Sequence, residues 1–257
     1  MIKLTNKLFI PILLGLVLCA CSACAQTSDQ KTSLSKEETE TSETETDSAV
    51  SAYQNVLRKI RQYHMCPGSD TEFAWEKSLS IYYAIVDVNQ DGVKELLLDF
   101  EYDSGPDGGI TVYTYDPNAH TPVHKIGGFF TFSRFYDNGI VEEDISHGSP
   151  YGGPYSTAGA ADPTTFWPYQ VWSYQADDAS YTKIGSVTDW NKKEWADSID
   201  GFSAFPDSAD KDHDGIVYLL TNAKGKETAI DAADLKKWVD SYRKGAKEIP
   251  ITYQRLK

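Results

Sequence analysis

Cysteine is scarce, with four in 257 residues, and three of them (Cys19, Cys21 and Cys24) fall in the first 25. Only Cys66 lies in the body of the chain, so no disulfide framework exists. What is left is a free or buried Cys66 thiol, or a Cys24–Cys66 bridge that would tie a tether to the domain. Positive charge is scarce too: 24 Lys and Arg stand against 38 Asp and Glu, for a net charge of −14. That balance argues against nucleic acid and against electrostatic docking on anionic lipid. Familiar catalytic signatures are missing. There is no H-E-x-x-H, no G-x-S-x-G around Ser149 and no Gly-rich phosphate loop. His120 and His124 are four apart, but Pro122 denies them the helix that would aim both at one zinc ion. Cys66 and His64 are neighbours only along the chain. No repeat of fixed period is present, which excludes a propeller of many similar units.

The first residues are a targeting segment. Lys3 and Lys7 precede an apolar stretch over 8–18 that is too short to span a membrane. The stretch runs into Leu18-Cys19-Ala20-Cys21. A Leu three residues before a Cys, with a small residue just before that Cys, resembles the lipobox of bacterial lipoproteins. The resemblance implies that Cys21 is lipidated and becomes the mature N-terminus, anchored to the outer face of the cell membrane. An ordinary secretory signal cleaved near Ala23 or Ala25 is the alternative. Residues 26–50 hold seven acids, two lysines and almost nothing apolar, and read as a disordered acidic spacer. Residues 51–257 are then the folded domain.

The most informative stretch of that domain is Asp87-Val88-Asn89-Gln90-Asp91-Gly92-Val93-Lys94-Glu95, set between apolar runs. Asp87, Asn89 and Asp91 alternate, so their oxygens converge if the chain curls, and Gly92 permits the bend. The Val93 carbonyl and the Glu95 carboxylate complete a set of hard oxygen donors suited to calcium. An EF-hand loop would carry an apolar residue eighth and a Glu twelfth; here Lys94 and Leu98 stand there, and a strand follows. A β-hairpin with an Asp-Gly turn and no metal is the plainer reading of the same residues. D-x-N-x-D-G-x-x-E-L between strands resembles the calcium loops of FG-GAP and VCBS-type repeats. It is also similar to the single such loop of surface lipoproteins in Gram-positive bacteria. That resemblance implies export, lipid anchoring and calcium.

The remaining pattern predicts an α+β fold, a mostly antiparallel β meander with helices at both ends. Helical spacing covers 51–63, through Ala52, Val56, Leu57, Ile60 and Tyr63. Strands are expected over 81–86, 96–98, 110–115, 123–126, 129–135, 140–145, 166–174, 181–187 and 216–220. The two strands that flank the calcium loop are apolar on both sides and so should be central and covered. Turns are expected at Gly127-Gly128, Asp137-Asn138-Gly139, Asp177-Asp178 and Lys224-Gly225. Asp231 reads as the N-cap of a C-terminal helix with Leu235, Trp238, Val239 and Tyr242 on one face, and Gly245 as its C-cap.

Two further candidates emerge. Asp210, Asp212 and Asp214, with Gly215, repeat the alternation, but Tyr218 stands where Glu95 stands in the first loop. This is a weaker metal candidate, one acid short. The long loop 146–172 is rich in Gly, Pro and aromatics, and Tyr151, Tyr155 and Trp167 suit stacking on sugar rings or peptide. The expected function is therefore a calcium-binding surface lipoprotein with a structural or adhesive role, and not an enzyme. A glycan- or peptide-binding protein that engages a cell-wall or host surface ligand through 146–172 is the alternative. A wall hydrolase stays open as well, because an acidic chain offers many carboxylate pairs.

Overall fold

The computed structural model describes residues 30–69, 73, 79–102, 105–130, 132–144, 166, 168–193 and 204–257. The chain divides into two compact units, Met1–Glu38 and Thr39–Lys257. Of the first, the described residues 30–38 are helical.

Thr39–Lys257 carries the fold expected from the sequence: antiparallel β-sheet flanked by helices. Strands β1 (Leu79–Val86), β2 (Glu95–Tyr102), β3 (Gly105–Tyr115) and β4 (Val123–Phe130) form one meander. β5 (Arg134–Phe135), β6 (Ile140–Asp144), β7 (Tyr169–Gln175), β8 (Ser180–Asn191), β9 (Ile216–Asn222) and β10 (Glu227–Ile230) form another. The short β11 (Gln254–Arg255) returns to pair with β1, which places β1 and β2 inside their sheet. Helices α1 (Gln30–Tyr63) and α2 (Ala232–Arg243) complete the described elements.

Side-chain alternation sorts these elements into four layers. On β2, Leu96 and Leu98 pack with Tyr53, Leu57 and Ile60 of α1, whereas Leu97 faces the other way, into a cluster with Phe135 and Val141 of the second sheet. Period-two geometry sends neighbours to opposite faces, so a strand covered on both faces must be apolar throughout. The outer face of the second sheet puts Tyr169, Val171 and Val187 against Leu235, Val239 and Tyr242 of α2. The order is therefore helix, sheet, sheet, helix.

Several local expectations need correction. Helix α1 begins at Gln30, inside the segment read as a spacer, not at Ser51. Glu, Lys and Gln support helix without tertiary help, and Ala49, Tyr53, Leu57 and Ile60 of α1 are buried. Gly127-Gly128 is no turn: both residues pair with β3 inside β4, next to a bulge at Val112/Tyr113. Glycine is needed there for close approach. A Cβ on Gly127 would lie 3.0 Å from the rings of Phe129 and Tyr181. Gly127→Val is therefore expected to overpack the space between the sheets and to cost about 1–3 kcal/mol, measured by urea unfolding. An unchanged midpoint would show that the rings move aside freely. The strand expected over 129–135 is cut in two, because the chain changes sheets there through a turn in which Ser133 N–H donates to Phe130 O. At the end of α2 the C-cap is Lys244, with φ of 50°, and Gly245 follows it at 80°.

Candidate metal site

Between β1 and β2 the backbone curls, although the oxygens of Asp87, Asp91 and Glu95 do not all come within 4.8 Å of one another. Backbone with positive φ at Gln90 (63°) and Gly92 (90°) supplies the curl. Asp87 accepts the N–H of Gln90 at 2.7 Å through Oδ1 and that of Gly92 at 3.2 Å through Oδ2. Asn89 Oδ1 accepts the Asp91 N–H at 3.1 Å, and Asp91 Oδ1 accepts the Val93 N–H at 2.9 Å. Each carboxylate keeps lone pairs free for a further partner. The Asn89 amide nitrogen lies between two acids, 3.0 Å from Asp91 Oδ2 and 3.3 Å from Glu95 Oε1.

Glu95 closes the loop and is fully buried. Its hydrogen-bond donors are all neutral: the Val88 N–H, the Asn89 amide and the Thr114 hydroxyl. Burial, reinforced by the charges of Asp91 and Asp87, pushes its carboxyl up to about 9 against the pull of the Val88 N–H and Thr114 bonds. Asp87 is raised as well, by burial first and by Asp91, against the N–H groups it accepts. A fully buried acid beside two more acids is stable as a carboxylate only if positive charge arrives. The donors are all hard oxygens, so the residues present fit calcium.

The loop also joins layers. Tyr174 of β7, in the other sheet, donates its hydroxyl proton to Asp91 Oδ2 at 3.3 Å. Tyr53 of α1 donates to the Lys94 carbonyl at 2.8 Å. A Cβ on Gly139, in the β5–β6 turn, would lie 3.7 Å from the Asn89 carbonyl. Both sheets and α1 therefore meet at this one loop.

The second acidic loop, just before β9, repeats three of the four bonds that Asp87, Asn89 and Asp91 accept from backbone N–H groups in the first; the bond from Gln90 N–H to Asp87 Oδ1 has no counterpart at Asp210 Oδ1. His213 and Gly215 take the positive φ values, 61° and 85°. Gly215 N–H donates to Asp210 Oδ2 at 3.2 Å, Asp214 N–H to Asp212 Oδ1 at 3.3 Å, and Ile216 N–H to Asp214 Oδ1 at 2.7 Å. Among the described residues, this is the group of acids whose ligand oxygens all lie within 4.8 Å of one another. Tyr218, which the sequence aligns with Glu95, instead packs its ring 5.0 Å from that of Phe166. The second-position N–H, which donates to Glu95 in the first loop, finds another acid: Lys211 N–H donates to Asp231 Oδ2 at 2.6 Å. From its sequence context Asp231 has only a capping role, which it also performs by accepting the Ala233 N–H. No spacing rule links it to a loop on the far side of the β9–β10 hairpin.

Other candidates fare variously. Cys66 is free and half-buried, and burial raises its thiol above the ordinary range despite a hydrogen bond to Tyr113 and the nearby Lys125 charge, which leaves it a weak nucleophile. His120 is exposed, and His124 is half-buried on β4. Cys21, Tyr151, Tyr155 and Trp167 lie outside the described residues. No helix among the described residues is long and apolar enough to cross a membrane. Sequence reasoning missed Glu142 and Glu143, both buried on β6. Comparison with protein-family models, with curated proteins and with solved structures finds no match.

Proposed function

We propose that this chain is a calcium-binding module of the cell surface, lipid-anchored through Cys21, in which the ion serves as an interlayer clamp. The observation that carries the reading is Glu95: a fully buried acid, at the end of a curled loop that also carries Asp87 and Asp91, with only neutral donors around it. Asp87, Asn89, Asp91 and Glu95 would hold the ion through side-chain oxygens and Val93 through its carbonyl. The bound ion supplies positive charge that lets the acids stay ionised together. The chain's own part is geometric. Asp91 reaches Tyr174 on the facing sheet, so fixing the Asp91 carboxylate fixes that contact as well. A rigid body on a lipid tether suits a structural or adhesive role in calcium-rich surroundings, where binding stabilises the fold by mass action.

Thermal unfolding of the full chain tests this. Calcium is expected to raise the melting temperature above that in EDTA by several degrees. Asp87→Ala and Asp91→Ala should each remove most of that rise. An equal calcium response in wild type and variants, or none in wild type, would remove the first loop from the account.

A further inference from the structure

We propose that the loop before β9 is a second divalent-cation site, in which Asp210, Asp212 and Asp214 converge and Asp231 provides the fourth acid from the N-terminus of α2. The sequence leaves this loop one acid short, and the fold brings Asp231 against the loop's backbone, outside the three acids whose oxygens lie within 4.8 Å of one another. Asp231 accepts both the Lys211 and Asp212 N–H groups, at 2.6 and 3.2 Å, so its carboxylate is held against the loop backbone as Glu95 is held in the first. It is 3 % exposed and contributed by the residue that caps α2.

Convergence of three acids would not by itself distinguish a site from an acidic turn. A separate observation does. Asp210 is only 7 % exposed, and while its Oδ2 accepts the Gly215 N–H, its Oδ1 is buried with no hydrogen-bond partner. A buried carboxylate oxygen left unsatisfied is costly. A cation among the three aspartates gives it a ligand bond. Exposed Asp212 and Asp214 leave one side of the site open, so water completes the coordination. The loop's own ammonium does not play the cation's part: Lys211 Nζ pairs with Asp234, one turn along from the α2 cap. An all-oxygen, water-completed set of this kind favours calcium at the weak affinity of extracellular modules, a Kd of about 10⁻⁴–10⁻³ M. The ion would tie β9 to the first turn of α2, as the first loop ties β1 and β2 to the facing sheet.

Calcium titration calorimetry on the full chain separates the two sites. Wild type is expected to bind two ions, and the Asp87→Ala, Asp91→Ala double variant one. Adding Asp210→Asn to the double variant should abolish that remaining ion. Adding Asp231→Asn, which keeps a capping side chain, should weaken it about tenfold or more. Circular dichroism checks that each variant folds. If the double variant binds no calcium at about 10 mM, well above the expected Kd, the second site is overturned. Retained binding after Asp210→Asn, or unchanged affinity after Asp231→Asn, overturns it equally. If wild type and the double variant both bind one ion and Asp210→Asn loses it, the second site stands and the first loop fails.

Discussion

Glu142→Ala is expected to remove about 3–5 kcal/mol of stability, the loss typical when a buried ion pair keeps only one side. Glu142 is 1 % exposed at the centre of β6. Arg243 of α2 grips it with two bonds of 2.7 Å, Nε to Oε1 and Nη2 to Oε2. Arg134 of β5 lies 2.9 Å from Oε2. The hydroxyls of Tyr136 and Tyr242 donate to it at 2.9 and 2.7 Å. One carboxylate therefore fixes the end of α2 to the β5–β6 hairpin, and removing it strands two guanidinium groups and two phenols. A domain is stable by only about 5–15 kcal/mol in total, so urea unfolding should show a large drop in midpoint. Glu142→Gln keeps the shape and one accepting oxygen but loses the charge and the second acceptor, and should fall between.

The same residue sets an acid limit. Burial raises the Glu142 carboxyl, but the hydrogen bonds from Arg243 and the charges of Arg134 and Arg243 outweigh it and hold it below its ordinary 4.5. A group depressed in the fold contributes stability above its unfolded value and loses it as pH falls through the folded one. Wild type should therefore weaken below about pH 4.5, and Glu142→Gln should lack that part of the slope. Equal acid unfolding of the two proteins would contradict the assignment.

Why was Glu142 illegible in the sequence while Asp87 was plain? Asp87, Asn89, Asp91 and Gly92 carry their meaning in local spacing, because the turn they build is made by their own backbone N–H groups. Glu142 takes its partner Arg243 from 101 residues away, and Ile-Val-Glu-Glu-Asp reads locally as a half-exposed strand. Asp231 is hidden for the same reason: its partner Lys211 lies across a hairpin. The meander was legible because apolar runs and turn residues such as Asn138-Gly139 mark it. The division into two sheets was not. It rests on a turn at 130–133 where Phe-Thr-Phe looked like continuous strand. β11 escaped notice because two residues, Gln254 and Arg255, carry no period; its place follows from pairing with Tyr83 and Tyr82.

Glu95→Gln is expected to reverse the order of stability according to whether calcium is present. In EDTA the wild-type group must either stay a buried charge with neutral partners or take up a proton. The amide is uncharged, its oxygen can keep the Val88 N–H, and its NH₂ can face Thr114 and Asp91, so the variant should equal or exceed wild type. The pH dependence gives the sign independently. Between the ordinary 4.5 and the value of about 9 in the metal-free fold, the folded chain holds a proton that the unfolded chain has lost. Stability is thus present below pH 4.5 and declines as pH rises towards 9, and Glu95→Gln should remove that decline. Calcium inverts the comparison, since the wild-type carboxylate now meets a divalent charge. Binding at a hundredfold excess over Kd stabilises by about 2.7 kcal/mol, which for a domain of this size is a rise of roughly 5–10 °C. The variant, with a neutral fifth ligand, should gain far less. Melting curves of both proteins at pH 6 and pH 8, in EDTA and in calcium, decide the matter. If Glu95→Gln were the less stable protein in EDTA at both pH values and gained the full calcium shift, Glu95 would be no ligand and its burial would need another cause.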